Sequence, residues 1–391
     1  HTVPDEDADR YECTPGPQSV SSKKEEAKTA DAEKGAEKAN EKTAADTDAK
    51  ADKESAKKAA EEAAKAGSAA AGGGADDAKW AGVEGQEIVL LYPGQTSIEW
   101  ILNGKDHGGA RAVRRINDRC AECHKTETAD MGAKIVGGEK AEATPIPGKR
   151  GSIPVTVKAM HDGENLSLRF EWPDAGHTPA PFADGGKMDP DNQIKLAVMF
   201  DDGKVEMAGY AGCWATCHHD SRYMPDHPKA DAMSAVASII DTKDGITKYI
   251  PESRTKLEYK GKEGKPRGGW DKLVDKADLD SQQVEGVYMD LERYLSGSNS
   301  AESGHIMADR VMAAADKTTA SGVLDNGVWK VTVTRPLTSD KPGGVSFKPG
   351  ELYTMGFAIH DDFTSARFHH VSLEYKLGLD NPEAEINAVK K

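Results

Sequence analysis

The chain has 391 residues, enough for one large domain or two ordinary ones, and carries a formal net charge of −15. This charge makes duplex nucleic acid and anionic membranes poor partners, and the sequence has no apolar run long enough to span a bilayer. Because His1 is preceded by neither Met nor an apolar leader, we expect either a processed export product or a shortened chain.

Composition divides the chain into unequal parts. Residues 1–20 are polar and rich in turn formers. Residues 21–78 form a low-complexity linker, which up to residue 72 contains almost only Ala, Lys, Glu, Asp, Thr, Ser and Gly. Such a linker has good helix propensity but no apolar stripe to bury, so a solvated spacer is predicted. The folded part is predicted to comprise a small helical segment, 79–150, and a larger domain, 151–391.

The larger domain is predicted to be mainly β. From Gly151 onwards apolar and polar residues alternate with period two, and the pair Asp162-Gly163 between two such runs is a hairpin signal. The strand-like runs of this domain are "IPVTVKAM", "LSLRFEW", "IKLAVMF", "GVWKVTVTR", "ELYTMGFAIHDD" and "RFHHVSLEYKL", and a further run, "EIVLLYPG", lies in the segment before it. They indicate an antiparallel β-sandwich, with residues 225–320 as a long insertion of helices and loops.

Residues 120–124, "CAECH", match the CxxCH signature of covalent haem attachment. The thiols of Cys120 and Cys123 would add to the two vinyl groups of the porphyrin, and His124 would ligate the iron. A zinc half-site would need a second ligand pair, but the only other Cys pair has its own His. A redox CxxC belongs in a βαβ setting, which the sequence pattern does not favour. We therefore predict a haem c at this motif.

Residues 213–218, "CWATCH", repeat the signature with one extra residue between the cysteines. The alternatives are a disulfide between Cys213 and Cys217, or a zinc site that adds His218 and His219. A chain that already undergoes haem attachment has passed through the machinery that could modify a second site. A second haem c on Cys213, Cys217 and His218 is therefore predicted.

Several stretches resemble the haem-binding domain of ethylbenzene-dehydrogenase type, in its periplasmic c-type cytochrome branch. They are "LLYPGQTSIEWILNGKDHGGAR", "CAECH", "PIPGKRGSIPVTVKAMHDGENLSLRFEW", "GCWATCHHDSRYMP" and "MGFAIHDDFTSARFHHVSLEYKLG". They occur in the family's order and cover most of residues 86–380. The resemblance implies a β-sandwich that holds a haem between its sheets, and a role in electron transfer, often beside molybdenum enzymes. Since this sequence has Cys-Cys-His in the fourth stretch, that haem is expected to be covalent.

Each haem also needs a sixth ligand or an open site. His107 lies in the Gly-flanked loop "KDHGGAR", where glycine lets the backbone approach a flat macrocycle, so it is predicted for the first haem, with Met131 in reserve. For the second haem, alternation along "RFHHVSLEYKL" puts His369 on the more apolar face, which is expected to point between the sheets. If the strand twists, His370 takes this role, and Met224 is a further candidate.

Two classes of function fit these features. An electron carrier would have both irons six-coordinate, whereas an enzyme or sensor would keep one iron open to a small ligand such as nitric oxide. The sequence has no catalytic triad, phosphate loop, molybdopterin or flavin signature, which favours the carrier. We predict an exported, periplasmic or extracellular dihaem cytochrome c with protein redox partners. A subunit of a cytochrome filament or of a molybdoenzyme complex, with self-association, is the further alternative.

Overall fold

The computed structural model describes residues 73–94, 107–110, 112, 118–139, 141–142, 145–174, 189–216, 250–260, 266–365 and 368–391. All of them lie in one unit, Ala71–Lys391. The tail 1–20 and most of the linker 21–78 fall outside this part of the chain. The predicted domain boundaries therefore stay predictions.

The helices formed by the described residues are short, and along the sequence they precede the strands or connect them. They are α1 (Gly73–Lys79), α2 (Cys120–His124), α3 (Thr128–Val136), α4 (Ala208–Thr216) and α5 (Lys276–Glu285), with a 3₁₀ turn at Pro251–Ser253. None of these helices is both long and apolar enough to cross a membrane.

Strands hold more of the described residues than helices do, which confirms the mainly β prediction. They are β1 (Gly85–Leu91), β2 (Ser152–His161), β3 (Asn165–Pro173), β4 (Lys195–Asp201), β5 (Arg254–Lys260), β6 (Pro266–Leu273), β7 (Met289–Leu295), β8 (Ser300–Ile306), β9 (Arg310–Ala314), β10 (Thr319–Asp325), β11 (Val328–Pro336), β12 (Leu352–His360), β13 (His370–Val371), β14 (Tyr375–Leu379) and β15 (Ile386–Lys390). Strands β5 and β6 pair with each other as a separate ribbon.

The other strands form one 13-stranded sheet that closes on itself. Its main path runs β10-β11-β3-β2-β1-β13-β12-β4-β7-β8-β9, while β14 pairs with β12 and β15, and β15 also pairs with β2. The strands β2, β1, β13, β12, β14 and β15 therefore form a ring of six. Most pairs are antiparallel, but β15 runs parallel to both β14 and β2. The arrangement is sandwich-like, with a barrel at its centre.

The hairpin between β2 and β3 forms as its turn sequence predicts. The Asp162 carboxylate accepts hydrogen bonds from the backbone N–H groups of Glu164 and Asn165, at 2.8 and 2.6 Å. These bonds lower the pKa of Asp162 to about 2. Gly163 has φ +94°, a conformation that glycine adopts without steric cost.

Residues 289–314 differ from expectation, because they add β7, β8 and β9 to the main sheet instead of belonging to an insertion of helices and loops. Asp290 and Glu292 of β7 are almost fully buried. Arg335 lies 2.9 Å from Asp290, and the Lys341 ammonium lies 2.5 Å from it. These cations compensate the buried carboxylates, so the strand is covered on both faces.

The sheet carries two apolar layers. The first layer lies inside the closed sheet, on the inner faces of its strands, and includes Phe170, Phe200 and Phe357. The second lies on the other face of β1, β4, β7, β12 and β13, and the helices α2, α3 and α4 cover it. This second layer contains Cys120 and Ala121, so it positions the first cysteine motif.

Helix α1 is the first element of the described residues and contacts the sheet through side chains at its C-terminal end. Trp80, directly after the helix, is 2% exposed and packs with Val83 and Met160. Asp76 and Asp77 pair with the guanidinium of Arg169, which is buried on β3. The last residues of the predicted linker therefore contribute to the fold.

Candidate haem site

The "CAECH" motif forms the short helix α2, which is clamped to the sheet by a buried glutamate. The Glu374 Oε1 atom accepts a hydrogen bond from the backbone N–H of Ala121 at 3.0 Å. Arg119, just before the helix, lies 3.3 Å from the Glu374 carboxylate and 2.7 Å from that of Glu385. A carboxylate at the first turn satisfies a backbone donor that the helix leaves unpaired. The motif is thus fixed by residues about 250 positions downstream.

Burial dominates the electrostatics of this clamp. Glu374 is 1% exposed, and its burial raises the pKa of the carboxyl to about 7 in spite of the hydrogen bond from Ala121 and the charge of Arg119. Burial also raises the pKa of the Cys120 thiol, and the nearby Glu374 carboxylate raises it further. In the folded motif Cys120 is therefore held as the protonated thiol, which is less reactive than the thiolate.

His124 is held in a way that suits an iron ligand. Its Nδ1 atom lies 3.2 Å from the Glu127 Oε2 atom, and about a quarter of its side chain is exposed. Histidines that ligate metals commonly donate their other ring N–H to a carboxylate or carbonyl, which fixes the tautomer and the ring orientation. With Nδ1 so engaged, Nε2 is the nitrogen left for iron.

His107 lies beside His124, although the two residues are on different segments. Their ring centroids are 6.1 Å apart and the ring planes differ by 33°. A metal–imidazole nitrogen bond is about 2.0 Å, as in zinc sites, and the ring centre lies roughly 1 Å further, so two imidazoles on opposite sides of one metal have centroids about 6 Å apart. The pair thus has the separation that a bis-histidine iron requires.

The two cysteines of the first motif differ. Cys120 is a free, buried thiol, whereas Cys123 is disulfide-bonded to a partner that is not among the described side chains. A thioether to haem would use the same sulfur, so the disulfide and the haem exclude each other at Cys123. The separation of the His107 and His124 rings fits a haem iron. The Cys123 sulfur can bind haem only after its disulfide has been reduced.

The second motif begins at the end of α4, and Cys217 and His218 lie outside the described residues, as does the side chain of Cys213. The helix is interrupted at Gly212, which has φ +52°. A Cβ atom at this position would lie 2.9 Å from the backbone N and Cα atoms of Glu374. Because α2 also packs against α4, Glu374 stands where the two motif-bearing helices meet.

The predicted ligands His369 and His370 occupy different environments. His370 is fully buried, its Nε2 donates to the Arg150 carbonyl at 2.8 Å, and its Nδ1 lies 3.4 Å from Asp361. Both ring nitrogens of His370 thus face protein oxygen atoms. The predicted continuous strand is broken here into β13 and β14.

His369 instead faces His360. The pairs Ala358–Val371 and Ile359–His370 of the β12–β13 ladder, extended by one, put His369 opposite His360. The ring centroids are 4.9 Å apart. Since Ala358 and Val371 belong to the second apolar layer, alternation puts this histidine pair on the face that carries α4. His369 thus lies on the side of the second apolar layer, whereas the expected location between the sheets holds the first layer.

Sequence reasoning missed three residues of this region: His360, Glu127 and Glu374. The signal for Glu127 was available, since a carboxylate three residues after a histidine on helical backbone lies on the same face. His360 and Glu374 reach the site through strand pairing over long sequence distances, which no local pattern reports. Met131, the reserve ligand, is partly buried against the second layer, and Met224 lies outside the described residues.

Known proteins are similar to this chain over most of its folded part. The family model described as ethylbenzene dehydrogenase matches residues 117–372. Cytochrome c-552 of Stutzerimonas stutzeri is 39% identical over 317 residues, which cover 80% of this chain and 91% of that protein. Cytochrome c-551 of Rhodocyclus tenuis is 28% identical over 316 residues, which cover 80% of this chain and 99% of that protein.

Among solved structures, a carbohydrate binding module of family 9 from Caldicellulosiruptor kristjanssonii, in complex with cellotriose, aligns with 61% of this chain and 75% of its own. Its sequence identity is 9% and the TM-score is 0.25, which is too low for any argument.

The fold, the first motif and these similarities define a c-type cytochrome with an ethylbenzene-dehydrogenase-type domain, which confirms the resemblance found in the sequence. The chain belongs to the ethylbenzene dehydrogenase family.

Proposed function

We propose that this protein is an exported, periplasmic or extracellular dihaem cytochrome c that passes electrons between redox partner proteins. Covalent haem supplies an iron that takes up and releases one electron at a time. The chain supplies the sulfur atoms that attach the haem, the imidazoles that bind the iron, and a rigid sheet that holds both. The observation that carries the proposal is the His107–His124 pair, whose centroid distance of 6.1 Å suits two axial ligands of one iron.

The first haem would be attached at Cys120 and Cys123, with His124 as proximal and His107 as distal ligand. Two imidazoles on one iron leave no coordination position open for a small ligand. The Glu127 carboxylate fixes the His124 ring, and the α2 helix is fixed by Glu374. Such a preorganised ligand set undergoes little rearrangement when the iron changes charge, which suits electron transfer.

The second haem would be attached at Cys213, Cys217 and His218. Two observations support it: α4 packs against α2, and the His360–His369 pair faces the layer that α4 covers. His369 is proposed as the distal ligand in preference to His370, whose ring nitrogens already face protein oxygens. Haems attached to neighbouring helices could exchange electrons within the protein.

Intact-protein mass spectrometry after denaturation tests the haem content. We expect the mass of the polypeptide plus two haems, and a single remaining haem after Cys213→Ser with Cys217→Ser. A gain of one haem in the unmutated protein would remove the second site, and a gain of none would remove both.

Carbon monoxide binding to the reduced protein tests the carrier role. If both irons carry two axial ligands, the visible spectrum at neutral pH should hardly change on addition of carbon monoxide. Rapid, stoichiometric binding would instead support the enzyme or sensor alternative, in which one iron is open.

A further inference from the structure

Glu127 occupies a position between two helices where its backbone is held on both sides. Its N–H donates to the His124 carbonyl at 2.9 Å, and its own carbonyl accepts from the Met131 N–H at 2.9 Å. As the residue before α3, it could cap that helix, yet its side chain makes no capping bond. The carboxylate instead reaches back to the His124 ring, with 3.2 Å between Oε2 and Nδ1.

We propose that Glu127 is a positioning residue that lowers the reduction potential of the first haem through its hydrogen bond to His124. This inference rests on the proposed function, because it requires His124 to ligate iron. A carboxylate on the Nδ1–H raises the basicity of an imidazole ligand. The more basic ligand favours the ferric state, which carries one more positive charge than the ferrous state. Hydrogen bonds to an axial ligand are one of the means by which proteins tune haem iron.

Glu122 provides a matched control on the same short stretch of chain. Its side chain is 62% exposed and lies 3.8 Å from the Arg119 guanidinium, on the other side of α2 from the bond in question. Glu122→Gln removes the same charge from a position two residues before His124, without touching the hydrogen bond to Nδ1. It therefore separates the effect of that bond from the effect of nearby negative charge in general.

The experiment is a redox titration of the holoprotein and its variants at neutral pH, followed by the haem absorption bands. Glu127→Gln keeps a hydrogen-bond acceptor but removes its charge. It should raise the reduction potential of one haem by about 59 mV, which is about a tenfold change in the ferric-to-ferrous ratio at a given potential. The potential of the other haem should stay constant. Glu122→Gln should shift either potential by less than a third of this amount. The electron paramagnetic resonance spectrum of the affected ferric haem should change in Glu127→Gln alone.

Equal potentials in the Glu127→Gln and Glu122→Gln variants would overturn the proposal, as would an unshifted Glu127→Gln. If Glu127→Gln does not acquire haem, Glu127→Asp is titrated in its place. Its side chain is one methylene shorter, so a smaller rise in the reduction potential is expected. An unchanged potential in this variant overturns the proposal. Loss of the proposed function is visible separately, as absence of haem at Cys120 and Cys123 in the unmutated protein.

Discussion

Gly109 lies against the ring of His107. A Cβ atom at Gly109 would stand 3.1 Å from both the Cε1 and the Nε2 atoms of that imidazole, which is tighter than ordinary van der Waals contact. Because Gly109 has no side chain, the His107 ring can occupy its position beside His124.

We expect Gly109→Ala to weaken the His107–iron bond of the first haem about tenfold or more, because the added methyl group displaces the ring. Gly108→Ala is the matched control, since a Cβ there would meet nothing within 4 Å apart from its own chain neighbours. Carbon monoxide titration of the ferrous protein measures the difference. Equal binding by the two variants would show that His107 is not an axial ligand.

Substitution of His369 by Met should raise the potential of one haem and leave the other unchanged, because a thioether favours ferrous iron. The rise should be on the order of 100 mV, within the range of about 0.8 V that axial ligands cover. His305→Met is the control, as His305 lies on β8 beside Tyr288 and is not a proposed ligand. Unchanged potentials in His369→Met would remove this residue from the second site.

Glu374 makes stability depend on pH. Its folded-state pKa of about 7 lies above its ordinary value of 4.5, so the native protein retains a proton that the unfolded chain loses between these values. Stability therefore falls as pH rises from about 4.5 to 7, by at most about 3 kcal/mol. Glu374→Gln should remove this part of the loss. Denaturant unfolding at pH 5 and pH 8 measures it; identical pH dependence in both proteins would contradict the assignment.

The tail and the first folded residues should differ sharply in their effect on stability. Deletion of residues 1–75 removes almost no apolar surface and is expected to leave the melting temperature and haem content unchanged. Trp80→Ala, in contrast, empties a buried position and should cost about 3 kcal/mol. Thermal melting of both variants tests this contrast, and a large loss on deletion of the tail would show that it packs on the core.

Local sequence patterns predicted most of the sheet. Strands such as β11 alternate between buried and half-exposed residues along their whole length, and this alternation is written directly in the order of the residues. Strand β7 lies in the segment predicted as an insertion, and its buried acids Asp290 and Glu292 are compensated by Arg335 and Lys341, which come more than 40 residues later. Charge compensation at such a distance has no local signature.

The candidate site divides in the same way. Cys120, Cys123, His124 and His107 could be proposed from the sequence because one short motif and one glycine-flanked loop carry them. His360 was missed because only the hairpin register sets it opposite His369. The prediction for His369 chose a face by counting apolar neighbours, but it did not foresee that the sheet has a second apolar layer outside its core.

The clamp on α2 sets an order of events during biogenesis. Ala121 is tied to a residue 253 positions further along the chain, and the six-stranded ring closes with β15, the last of the described strands. Until that end of the chain has been made, the hydrogen bond from Ala121 to Glu374 and the ion pairs of Arg119 with Glu374 and Glu385 cannot form. Once it has arrived, Cys120 is 6% exposed. If haem is attached at this motif, we therefore expect attachment to precede the burial of Cys120 in the finished fold.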